Sequence, residues 1–189
     1  MKNITIQEKK MINKITLSGF AGSGKSTIGK NLQEALNFEF ISVGNFSRKF
    51  AKEVYGMDIN TFQQKCKEDP KLDAEIDQKF QSECNSKENL VIDYRLGFKF
   101  VQNAFHVLLK VSDEVASNRI RSANRIDETI SAKAINTRNE RMQARFLSTY
   151  QVDFMDETNY HLVIDTDELT PEEITHLIIK EFQKITNKK

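Results

Sequence analysis

Gly19-Phe20-Ala21-Gly22-Ser23-Gly24-Lys25-Ser26 follows the pattern G-x-x-x-x-G-K-S, and these residue types at this spacing suit the cradling of a polyphosphate. Gly19 and Gly24 let the backbone curl until successive N–H groups point inward at phosphate oxygens. Lys25 brings a positive charge to the β- and γ-phosphates, and the Ser26 hydroxyl can ligate Mg²⁺. Thr27 continues into a helix whose N-terminal dipole faces the same anion. The candidate residues for the donor nucleotide are therefore Gly19, Gly22, Ser23, Gly24, Lys25, Ser26 and Thr27, with Ser26 also the candidate metal ligand.

A second group of residues could handle the transferred phosphoryl. Such transfer is mostly positioning and charge neutralisation, so several guanidinium groups should converge on it. Asp93-Tyr94-Arg95 ends an apolar run: Asp93 could hold a metal-bound water or a substrate donor, and Arg95 could clamp a substrate phosphate. A capping Asp paired with its neighbouring Arg is the structural alternative. Arg48 stands in the helical segment after the apolar run Phe38–Ser42. Arg138, Arg141 and Arg145 are spaced i, i+3, i+7 and share one helical face; Glu140 and Glu128 are their alternative partners. Arg119, Arg121 and Arg125 flank Ser122-Ala123-Asn124, a break where a short lid could close and exclude water. Arg119 and Arg121 equally suit a basic helix end, and Arg125 is the better lid residue.

These groups need elements to hold them. Lys14–Ser18 reads as a buried strand, and Thr27–Leu36 has helical apolar spacing at Ile28, Leu32, Ala35 and Leu36. Phe38–Ser42 reads as a strand, followed by a helix from Gly44 to Tyr55 that Gly56 ends. Asp58–Cys66 and Lys71–Cys84 read as polar helices, with Pro70 placed to begin the second. Asn89–Asp93, Ala104–Val111 and Tyr160–Ile164 read as further strands. Ser112-Asp113 starts a helix to about Arg121, Thr129–Tyr150 is a long helix, and Thr170-Pro171-Glu172-Glu173 starts the last one. Strands alternating with helices predict an α/β fold, a parallel sheet covered on both faces, with ligands at the strands' C-terminal ends. The polar helical insert 44–87, with Gly44 at its entrance, reads as a flap over the site, and residues 1–12 as a loose leader.

Composition narrows the function classes. With 189 residues a single domain is expected, and 28 basic against 27 acidic residues give no net field for nucleic acid or an anionic membrane. No stretch approaches a membrane span and no signal-peptide pattern opens the chain. The two cysteines, Cys66 and Cys84, sit in polar helical stretches and suggest neither a disulfide framework nor a metal site. A cytoplasmic monomer acting on a small molecule is the expectation. The 13 Phe read as core rather than a base-stacking platform; His106 falls inside a strand, and His161 and His176 read as isolated.

Taken in order, the phosphate loop, Ile41-Ser42-Val43-Gly44 with Arg48 four residues on, Glu68-Asp69-Pro70, Arg95-Leu96 after a strand, and the Arg138/Arg145 helix resemble the archaeal-type cytidylate kinases and their bacterial relatives. The resemblance runs from about Lys14 to the C-terminal helix. It implies a P-loop NTPase three-layer sandwich with a five-stranded parallel sheet, a helical monophosphate-binding insert and a short lid at 119–128. It also implies γ-phosphoryl transfer from ATP, with Mg²⁺, to CMP or dCMP. In that scheme Lys25 and Ser26 serve ATP and Mg²⁺. Gly44, Arg48, Asp93, Arg95, Arg138 and Arg145 surround the acceptor, and Arg125 with Arg119 acts from the lid; Lys25, Arg125 and Arg138 are the catalytic set. Tyr94 stands where the family usually has Gly, and Met142 where the bacterial members have an acidic residue that reaches the acceptor's ribose. Two other readings share the phosphate loop: a kinase of a hydroxyl acceptor with Asp93 as base, and a nucleotide-sensing module without turnover.

Overall fold

Leu90, Val91 and Ile92 are all fully buried, Val91 within one apolar cluster and its two neighbours within another. A strand that sends apolar side chains to both faces needs helices on both, and that requirement shapes the whole molecule. The computed structural model describes residues 12–122 and 132–186. Its strands are β1 (Lys14–Ser18), β2 (Glu39–Ser42), β3 (Leu90–Asp93), β4 (Ala104–Lys110) and β5 (Leu162–Asp165). They form one sheet in the order β2-β3-β1-β4-β5, and every pairing is parallel.

The helices are α1 (Lys25–Leu36), α2 (Val43–Tyr55), α3 (Ile59–Glu68), α4 (Pro70–Ser86), α5 (Gly97–Phe100), α6 (Asp113–Ser122), α7 (Ala132–Tyr150) and α8 (Pro171–Thr186). On one face of the sheet α1 and α8 bury Ile28, Leu32, Ile174, Ile178 and Phe182 against Ile15, Leu17 and Val107. On the other, α4 and α7 bring Phe80, Cys84 and Phe146 to Leu90, Ile92 and Phe154. The expected three layers and five parallel strands are thus present.

Local chemistry sets the helix ends. Ser42 Oγ accepts from the Asn45 amide and starts α2; Gly56, at φ 65°, ends it. Asp69 caps α4 through the Lys71 amide, with Pro70 in the first turn. Thr170 and Glu173 exchange reciprocal side-chain-to-amide bonds at the start of α8, a capping box.

Several sequence readings need correction. Cys84 is fully buried in the second cluster, because α4 turns it, with Phe80 one turn earlier, toward the sheet; burial pushes its thiol up to about 12. The segment 44–87 is polar in composition, yet α2, α3 and α4 enclose an apolar cluster of Phe50, Ala51, Phe62 and Ile76. His161 is not isolated: its ring stacks on that of His106 at 5.2 Å, and the His106 amide donates to His161 Nδ1 at 3.0 Å. β5 begins at Leu162 rather than Tyr160, and α5 and a 3₁₀ turn at Glu157–Asn159 were not foreseen. Residues 1–11 of the expected leader lie outside the described residues.

Candidate functional site

Register brings the two chemical segments together. Leu17 of β1 pairs with Asp93 of β3, so the phosphate loop and Asp93-Tyr94-Arg95 leave the same sheet edge side by side. Tyr94 N–H donates to Leu17 O, and Ser18 Oγ donates to Arg95 O at 2.9 Å. This is the carboxyl edge at which open α/β sheets bind ligands.

Glycine is required in the loop for space as well as for conformation. Gly19 has φ 137°, and a Cβ there would stand 2.2 Å from the Leu109 carbonyl of β4. Gly22 has φ 83°, and its Cβ would meet Ala116 of α6 at 2.8 Å. The loop is therefore wedged between β4 and α6 and held to one shape. Lys25 is buried within it, its ammonium donating to Gly19 O (2.9 Å), Phe20 O (2.7 Å) and Ser23 Oγ (3.2 Å). Arg95 Nε donates to the same Gly19 carbonyl at 3.1 Å.

A cleft of about 670 Å³ opens beside the loop, within the range of ligand sites. Gly22, Ser23, Gly24, Lys25, Ser26 and Thr27 line one side of it; Gly44, Arg48, Asp93 and Arg95 line another; Arg119 closes an end. Ser26 Oγ donates to Asp93 Oδ2 at 3.4 Å, so a hydroxyl and a carboxylate oxygen converge next to the loop. Two adjacent hard oxygen donors suit Mg²⁺. Arg48 Nη2 donates to Asn45 Oδ1 at 2.7 Å, one turn back on α2. Arg119 is fixed by Thr166, donating to its hydroxyl at 2.9 Å and its carbonyl at 2.6 Å.

Other expected residues lie elsewhere. Arg121 turns back on its own helix, to Ser117 O and Asn118 Oδ1, as a basic helix end does. Arg145 is absent from the cleft lining; it lies 3.9 Å from Asp77 of α4 and 6.0 Å from the Phe146 ring. Arg125, residues 123–128 of the expected lid, and the Arg138 side chain lie outside the described residues.

The sequence reading missed an apolar wall of Ile120, Leu169, Pro171 and Ile174 beside Arg119. Only the placement of β5 next to β4 brings these residues to the cleft, and no local pattern announces it. Tyr94, between Asp93 and Arg95, is 3% exposed and packs against Phe80 and Phe100. Burial, and then the nearby Asp77 carboxylate, raise its phenol well above the ordinary range. Among the described residues no group of three or more His, Cys, Asp or Glu could hold a metal, and no helix is long and apolar enough to cross a membrane.

Comparison with known proteins fits this geometry. An S-adenosylmethionine-dependent nucleotide dehydratase from Lacinutrix mariniflava is 66% identical over 174 residues, 92% of this chain; the chain spans 37% of that relative's length. A cytidylate kinase from Sulfurisphaera tokodaii is 32% identical over 166 residues, covering 87% of this chain and 92% of the relative. Among solved structures, a shikimate kinase from Acinetobacter baumannii in complex with shikimate superposes with a TM-score of 0.62. It is 20% identical and covers 95% of this chain and 96% of its own, a likeness of fold. The model of the cytidylate kinase-like family matches residues 14–168, from the first residue of β1 to just beyond Arg119's partner Thr166. The chain belongs to the cytidylate kinase-like family.

Proposed function

We propose that this chain transfers the γ-phosphoryl group of ATP to a nucleoside monophosphate, CMP or dCMP first. The observation that carries the reading is the single cleft that joins the phosphate loop to Arg48, Asp93 and Arg95. The donor's phosphates would lie on the loop and the start of α1. Lys25 would leave the carbonyls of Gly19 and Phe20 for the β- and γ-phosphates. Arg119 and the apolar wall around Leu169 would take the donor's base.

Arg48 and Arg95 would hold the acceptor phosphate with one oxygen in line with the γ-phosphorus. As that oxygen bonds to phosphorus, the bond to the β-phosphate's bridging oxygen breaks and ADP leaves. Ser26 and Asp93 would hold Mg²⁺, which when bound neutralises charge on the β- and γ-phosphates. Arg138 and Arg125 remain candidates for charge stabilisation, and Arg145 for the acceptor side.

Asp93 bears on the alternative of a hydroxyl acceptor, which needs a base. Its carboxylate is directed to Ser26, which favours the metal role and so an acceptor that is already anionic. The family and the cytidylate kinase relatives support CMP as the first acceptor. The relative named as a nucleotide dehydratase is a longer protein; we assign phosphoryl transfer to the portion that this chain matches.

The test is ADP release from ATP and Mg²⁺ with CMP, dCMP, UMP, AMP and GMP added separately. Stimulation by CMP or dCMP is expected. No stimulation by any of the five, in protein shown to bind ATP, would overturn the reading in favour of another acceptor or a sensing module.

A further inference from the structure

β1 ends on a serine that has no access to solvent: Ser18 is fully buried. A buried hydroxyl must spend its one proton inside the protein. Beyond β3 the chain turns sharply, with Gly97 N–H donating to Tyr94 O at 2.9 Å, so Arg95 takes the second position of a β-turn. The turn closes on the Tyr94 carbonyl and not on the Arg95 carbonyl that follows it. Ser18 supplies that second carbonyl: its Oγ donates to Arg95 O at 2.9 Å, while Tyr94 O stands farther off at 3.4 Å.

Gly19, the next residue of the chain, takes the other end of the same arginine. Its carbonyl accepts from Arg95 Nε at 3.1 Å. Arg95 is thus pinned at main chain and side chain by consecutive residues at the entrance of the phosphate loop, and it lines the cleft. A guanidinium grips a phosphate through parallel N–H···O bonds, which demands a set plane as well as a charge. Misplacing such a group by about 1 Å can cost about a hundredfold in rate.

Tyr160 stands beside Ser18 but serves a different carbonyl. Its Oη donates to Phe154 O at 2.5 Å, and its ring meets Phe98 edge-on at 5.2 Å. Burial raises its phenol, and the Ser18 hydroxyl opposes that rise. Two hydroxyls therefore lie side by side, one tied to Arg95 and the other to the segment that leads into β5.

We propose that Ser18 is a positioning residue for phosphoryl transfer: by holding the Arg95 carbonyl it sets the reach and the plane of the guanidinium that receives the acceptor phosphate. This rests on the nucleoside monophosphate kinase reading and adds to it a fully buried residue that acts through Arg95.

The experiment is steady-state kinetics with ATP and CMP, or the monophosphate used best, in the wild type, Ser18→Ala, Arg95→Ala and the double variant, with Tyr160→Phe as control. Ser18→Ala should lower kcat/KM for the acceptor about tenfold, the worth of one buried hydrogen bond. The loss should fall mainly on the acceptor's KM, while the KM for ATP stays within about twofold. In the Arg95→Ala background the same change should cost less than about twofold, because the group it positions is gone. Tyr160→Phe removes the neighbouring hydroxyl bond and leaves Arg95 tied, so its melting temperature should fall with both KM values unchanged. An undiminished loss in the Arg95→Ala background, a matching loss in Tyr160→Phe, or wild-type kcat/KM in Ser18→Ala would overturn the assignment. If Ser18→Ala does not fold, Ser18→Cys, which donates only weakly, goes through the same cycle under the same criteria. An active wild type with an additive cycle overturns this inference alone; one inactive on all nucleoside monophosphates overturns the kinase reading and this inference with it.

Discussion

The phosphate-loop half of the molecule and the α2–α4 segment are built on different principles. In the first, backbone atoms make the site: a loop wedged between Leu109 and Ala116, with carbonyls that hold Lys25. Its shape depends on strand pairing and on glycines that no other residue can replace. In the second, side chains do the work. Three helices close on Phe50, Ala51, Phe62 and Ile76, and they meet the rest of the molecule through contacts such as Tyr150 to Asp77 and Gln81 to Tyr94. A backbone-built site is tied to one ligand class. A side-chain-built surface can change its ligand by substitution while the fold stays as it is.

The largest effect should come from Lys25→Ala. Removing a charge-stabilising donor costs about 10²–10³ in turnover, and the far-UV circular dichroism should be unchanged because the sheet does not depend on that side chain. Near wild-type turnover would mean that the loop does not carry the chemistry.

Phe62→Ala sharpens the contrast between the regions. Phe62 is 1% exposed within the helical segment's own cluster, and such a truncation costs about 3–5 kcal/mol. Hydrogen exchange in α2–α4 should rise and the acceptor KM should increase several-fold. ATP affinity should stay within about twofold, as separate clusters shelter the loop. A parallel loss of ATP affinity would show instead that the two regions unfold as one.

The smallest effect is on pH dependence. Burial, and then the facing His161, lower the pKa of His106 to about 4 from 6.5. Between those values the unfolded chain binds more protons, so stability is fully present above about pH 6.5 and is lost as pH falls toward 4. His106→Asn should flatten the slope of the melting temperature over that interval. An unaltered slope would place the titrating group elsewhere.

How much of this was readable beforehand follows the same division. Lys14–Ser18 as a strand, and Pro70, Gly56 and Thr170 at helix ends, rest on local chemistry that a single sequence displays. The loop is equally legible because its glycines and lysine act within eight residues of chain. The Gln81–Tyr94 contact and the wall at Leu169 were not seen, since they arise from which elements face each other across more than ten residues of separation. Cys84 was misplaced for a similar reason: its sequence neighbours are polar, and only the rotation of α4 turns it inward. His161 looked isolated because its partner is 55 positions away, in the neighbouring strand.

The Gly19 carbonyl accepts from both Lys25 and Arg95, cations that the proposed function assigns to the donor and the acceptor side of the cleft. A ligand that draws one of them away leaves that oxygen wholly to the other. On the proposed function the two substrates would thereby be thermodynamically linked through one shared atom. Whatever factor the donor imposes on the acceptor's affinity, the acceptor must return in equal measure, and the order of addition cannot alter their combined free energy of binding.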